Sequence, residues 1–136
     1  MPYPRSAPVV GLLILCGCTA GGGLPSGGAA LDGAWGGAHV GLALTSEGGT
    51  IRYDCAHGSL EGPVVRDREG RFETIGLHVR EHGGPVRAGE VLDSEAARYV
   101  GQVTGDRMVL QVLVGSDTLG PFTLQRGAEP RLLRCL

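Results

Sequence analysis

From residue 39 onward the chain alternates. Val40, Leu42 and Leu44 are interleaved with His39, Gly41 and Ala43. Ile51, Tyr53 and Cys55 then alternate with Arg52 and Asp54 after a Glu47-Gly48-Gly49 turn. A period of two marks a half-buried strand, and helical periodicity is nowhere sustained. A short strand carries Leu60 and reaches towards Val64. Beyond an Asp67-Arg68-Glu69-Gly70 turn, Phe72 and then Ile75, Leu77 and Val79 read as the inner face of a long strand. The change of parity between Phe72 and Ile75 predicts a bulge near Thr74. Tyr99, Gly101 and Val103 answer Met108, Leu110, Val112 and Val114 across Gly105-Asp106, a two-residue turn of the Gly-first type. Ser116-Asp117-Thr118 turns the chain into Phe122 and Leu124, and Leu133 and Cys135 read as the closing strand.

The pattern predicts an all-β domain: about eight strands in an up-and-down meander. Such a meander closes naturally into a small barrel, which removes exposed edges. One connection is not short. A polar loop leaves the long strand at Glu81, holds Gly83-Gly84-Pro85 and reaches to Asp93 or Glu95. Loops of this length in compact domains often carry function. Arg87, Glu90, Asp93 and Glu95 are its candidate partner-binding residues.

Ahead of the domain the composition changes. Arg5 is the one charge before an apolar run, Pro8 to Leu15, too short to span a membrane as a helix. A basic start, a short apolar stretch and small residues at its end form a secretory signal. Leu15-Cys16-Gly17-Cys18 resembles the lipobox of bacterial lipoprotein precursors. That resemblance implies cleavage before Cys18, lipidation of its thiol and acylation of the new N-terminus. It implies a membrane partner reached through the lipid anchor, and a place in the cell envelope. Thr19, where enteric lipoproteins of the inner membrane carry Asp, points to the outer membrane. The chain then divides into a signal (1–17), a lipidated Cys and uncharged Gly-rich linker (18–31) and a barrel domain (32–136).

Four cysteines are present. With Cys16 removed and Cys18 lipidated, Cys55 and Cys135 remain as an even pair in an oxidising compartment, where a disulfide is the expected state. The net charge of −2 argues against a nucleic-acid partner. All twelve basic residues are Arg, scattered along the chain.

At the domain entrance, Gly33-Ala34-Trp35 resembles the opening of lipocalin and avidin-like barrels. There the Trp plugs one end and stacks on an Arg of the last strand. The resemblance implies that Trp35 is a plug and that Arg134 or Arg126 supplies the cation. Residues 35–40 and 54–58 resemble those of small exported bacterial proteins without assigned activity. Ala97-Arg98-Tyr99 resembles the end of the inhibitory loop of membrane-bound lysozyme inhibitors, although Ser94 is followed by Glu95 and Ala96 where that family has Ser-Gly.

Candidate chemistry is sparse. His78 and His82 would lie about 13 Å apart on an extended strand, both outward, too far for one metal ion. Asp54 and His57 could hydrogen-bond across the Cys55 turn. No nucleophile motif, metal-ligand spacing or phosphate loop is found, so no catalytic residue, metal or cofactor is assigned. The function expected is a non-enzymatic binding or structural module. Its partner would be an envelope protein, with a small hydrophobic ligand inside the barrel as the alternative.

Overall fold

A computed structural model describes residues 28–136. The signal, Cys18 and most of the linker lie outside these residues. The described chain contains no helix. Its strands are β1 (Ala29–Ala30), β2 (Gly33–Gly37), β3 (Val40–Thr45), β4 (Gly48–Tyr53), β5 (Ala56–Glu61), β6 (Val65–Arg66), β7 (Arg71–Arg80), β8 (Ser94–Thr104), β9 (Arg107–Val114) and β10 (Asp117–Arg126). Eight of them close an antiparallel barrel in the order β10-β2-β3-β4-β5-β7-β8-β9. Strands β1 and β6 pair separately, Ala29 with Arg66 and Ala30 with Val65.

The expected barrel is present, but its seam is elsewhere. The first barrel strand is Gly33–Gly37, which contains Trp35 instead of following it. The last is β10, which closes the barrel by pairing Leu124, Gln125 and Arg126 with Gly37, Gly36 and Trp35. Leu133 and Cys135 are not in a strand; residues 127–136 form a tail on the outside. One strand is gained at the start and one lost at the end. Ala29 to Leu31, assigned above to the linker, pair and pack: Leu31 N–H donates to the Val64 carbonyl, and both side chains are buried.

The long strand β7 corrects the parity reading. Its register with β8 runs unbroken from Arg71↔Gln102 to Val79↔Ser94, so no bulge interrupts it at Thr74. Phe72, Thr74, Gly76 and His78 therefore share one face. His78 is 5% exposed inside the barrel, while Ile75 (60%) and Leu77 (43%) are on the outside. Ile75-Leu77-Val79 has the alternation of a buried stripe, but the fixed pairing of Phe72 opposite Gly101 sets the opposite phase. The irregularity falls in β10, between Leu119 and Phe122, at a cis Gly120-Pro121 peptide. The Gly105-Asp106 turn is as read, with Gly105 at φ 59° between paired Thr104 and Arg107. The next hairpin turns at Gly115-Ser116, one position before the expected turn.

The lumen is filled by side chains. Tyr99 crosses it so that its hydroxyl lies over Gly58 and donates to the Leu77 carbonyl at 2.7 Å. Phe72 covers Gly101. Met108, Leu110, Val112, Leu124 and Ile51 complete a core with no accessible surface. Gly58 and Gly101 leave room for the Tyr99 and Phe72 rings, which helps the eight strands reach interior packing density.

Candidate functional site at the loop end of the barrel

A meander sends every second connection to the same end. One end holds the 45–48 turn, Glu61 to Arg71, and Gly105-Asp106. It is closed by Trp35, 1% exposed, with the Arg126 guanidinium 4.3 Å above its ring. Arg126 also meets Asp106 at 3.3 Å and Asp32 at 3.8 Å. The plug cation is thus Arg126. Arg134 lies exposed in the tail, beyond the last strand.

The other end collects the chemistry. It holds Ala38-His39, Asp54-Cys55, the 81–93 loop, Gly115-Ser116 and the tail. All four histidines are at this end, three of them paired with a carboxylate. His39 pairs with Asp54 at 2.6 Å, His57 with Glu81 at 2.5 Å and His82 with Glu90 at 2.5 Å. Asp54 and His57 do not pair. His78 lies inside, its ring 5.5 Å from that of Tyr53, which in turn meets Phe122 at 5.6 Å. Among the described residues, neither the Tyr53 hydroxyl nor His78 Nδ1 has a hydrogen-bond partner. Burial raises the Tyr53 pKa, and burial, then Arg80, lowers that of His78, so both are neutral groups near pH 7. Arg80 spans the rim, 3.5 Å from Glu95 and 3.8 Å from Asp117. Among the described residues no three His, Cys, Asp or Glu side chains gather as a metal site.

The loop runs from Glu81 to Asp93, as its composition indicates, but Glu95 belongs to β8, opposite His78. Glu90 organises the loop. It accepts from the Arg87 N–H at 2.9 Å and holds His82. The Arg87 N–H and then His82 keep its carboxyl below the usual range, while the Gly83 carbonyl and Glu90 raise the His82 pKa. Ala97-Arg98-Tyr99 is in strand β8, not in a loop. Ala97 and Tyr99 face the core, and Arg98 faces out, 3.4 Å from Glu73.

Cys55 and Cys135 are disulfide-bonded, although neither is on a strand: Cys55 is in the β4–β5 connection and Cys135 in the tail. The barrel is closed by β2–β10 pairing, so the bond fastens the tail. Gly36 and Gly41, paired across β2 and β3, leave a bare outer surface, on which Ala128 and Pro130 sit. Farther on, Arg131 exchanges backbone hydrogen bonds with Gly37 (3.0 Å) and His39 (2.8 Å). His39 is the one described non-glycine residue with positive φ, 67°. The Leu133 N–H donates to Asp54 at 2.8 Å; this bond, then His39, lowers the Asp54 pKa. Leu136 ends against Gly83 of the loop. The two short stretches singled out above, 35–40 and 54–58, supply most of the seat for this strap. Three clefts among the described residues lie outside the barrel: against the 65–71 segment, within the 82–90 loop and beside the strap. No protein-family model matches the chain, and no curated protein or solved structure is significantly similar to it.

Proposed function

We propose that this chain is a bacterial envelope lipoprotein whose barrel acts by binding a partner. The signal is removed, Cys18 carries the lipid and the domain stands off the membrane, by preference the outer one. The anchoring half of this reading rests on Leu15-Cys16-Gly17-Cys18 alone.

The observation that carries the binding half is polarity along the barrel axis. The chain enters at the plug end, where Leu31 packs beside Val64. A tether running back from Gly28 to Cys18 therefore attaches at that end. The opposite end carries the four histidines, their carboxylates, the rim arginine Arg80 and the long loop with Arg87, Glu90 and Asp93. A domain tethered in this way presents its polar loop end away from the membrane. A filled lumen supports contact through this outer surface over carriage of a small hydrophobic molecule inside.

Two measurements test the two halves. The membrane-bound product is weighed by mass spectrometry; the proposal requires a chain beginning at Cys18 with acyl mass, and any other start overturns it. Envelope proteins are then captured with the mature protein and with a variant in which a two-residue turn replaces residues 81–92. The variant is feasible because Arg80 N–H already bonds the Asp93 carbonyl at 2.9 Å. Capture lost in the variant supports the loop end; capture unchanged moves the contact elsewhere.

A further inference from the structure

The Cys55–Cys135 bond has the position of a clasp. Cys55 is exposed and Cys135 half-buried, so a thiolate can reach the sulfurs without opening the core. The barrel seam is independent of the bond, since β10 and β2 are joined through their own backbones. Without the bond, what holds the last residues is the pair of Arg131 backbone bonds, the Leu133 bond to Asp54 and the end of the chain against Gly83.

We propose that the C-terminal strap is a redox-sensitive cover over the loop end, closed when Cys55–Cys135 is oxidised and released by a dithiol reductant. One thiolate of the dithiol attacks a sulfur of the bond, and the other cysteine leaves as thiolate and takes up a proton. The second thiol of the dithiol then displaces the first cysteine. The dithiol is oxidised to its disulfide and two electrons pass to the protein, leaving two free thiols. Release detaches the Asp54 carboxylate from Leu133 and frees Gly83 at the root of the loop. The inference concerns access to the loop end and does not depend on what binds there.

Limited trypsin digestion of the full chain, with and without dithiothreitol, tests it. Arg131 and Arg134 are in the strap, whereas Arg52, Arg98 and Arg107 are in barrel strands. Reduction is expected to speed cleavage after Arg131 and Arg134 by about tenfold or more, as a covalent pin gives way to local opening. The barrel arginines should stay protected and the fluorescence of Trp35 unchanged. Unchanged cleavage in the strap would overturn the proposal, because the strap would then be held without the bond. Equal exposure of the barrel arginines, with a shift in Trp35 emission, would overturn it too, because the bond would then hold the whole fold.

Discussion

Arg126 and Arg134 are the same residue type eight positions apart, and only their places decide their roles. Arg126 ends a paired strand and lies on Trp35. Replacing it with Ala should cost about 1 kcal/mol, from a half-exposed cation–π contact and two screened ion pairs. Arg134→Ala should fall within about 0.5 kcal/mol of no change; urea denaturation of both variants checks the assignment. Trp35→Ala should cost about 3–5 kcal/mol, being a fully buried aromatic. The entrance motif made Trp35 legible, because Gly-x-Trp marks a plug. The choice of arginine was not legible, since it needed the position of the last strand. His82 gives a pH test. Its pKa is raised by the Gly83 carbonyl and then Glu90, so the contact with Glu90 is fully present below 6.5 and is lost as pH rises through the raised value. NMR should show His82 titrating above 6.5 with the Arg87–Glu90 amides shifting alongside it; titration below 6.5 would contradict the pairing.

At the scale of elements, β7 shows where alternation misleads. Ile75, Leu77 and Val79 form a better apolar stripe than Phe72, Thr74, Gly76 and His78, yet the second set faces the core. Alternation fixes the period of a strand but not its phase, and phase follows from pairing across the sheet. The glycines were the missed signal: Gly58 and Gly101 are inward positions where the Tyr99 and Phe72 rings cross. His78→Leu should be neutral or stabilising by about 1 kcal/mol, because it removes a buried nitrogen without a partner. Leu77→Thr should change stability by no more than about 0.5 kcal/mol. Had the stripe faced inward, the two results would be reversed. Thermal or chemical unfolding of the pair reads the orientation of the strand directly.

At the scale of the molecule, strand count and the cysteine pair were legible, because period-two runs, two-residue turns and an even cysteine count are local signals. The strap was not. Leu133 and Cys135, two positions apart, read as a strand, but β10 already occupies the edge of β2. The tail is left with the outside of the barrel, where Gly36 and Gly41 make room. The clustering of chemistry at one end follows from topology once the connections are numbered: residues 39, 54, 81–93 and 115–116 are alternate connections of one meander. The disulfide closes a separation of 80 residues, and chain entropy predicts that Cys135→Ser costs about 4–5 kcal/mol even though the barrel seam is intact. Unfolding of that variant should therefore move to lower denaturant while the native circular dichroism spectrum is retained.

Orientation is the core of the account: the plug end towards the tether, the loop end towards a partner. Site-specific photo-crosslinking in living cells tests it most directly. A photoreactive side chain is placed at Arg87 in the loop, and in a second variant at Glu47 in the turn at the plug end, with the lipid anchor intact in both. The account predicts a discrete protein adduct from position 87 and none from position 47. An adduct from position 47 as strong as that from 87, or none from either, would contradict it.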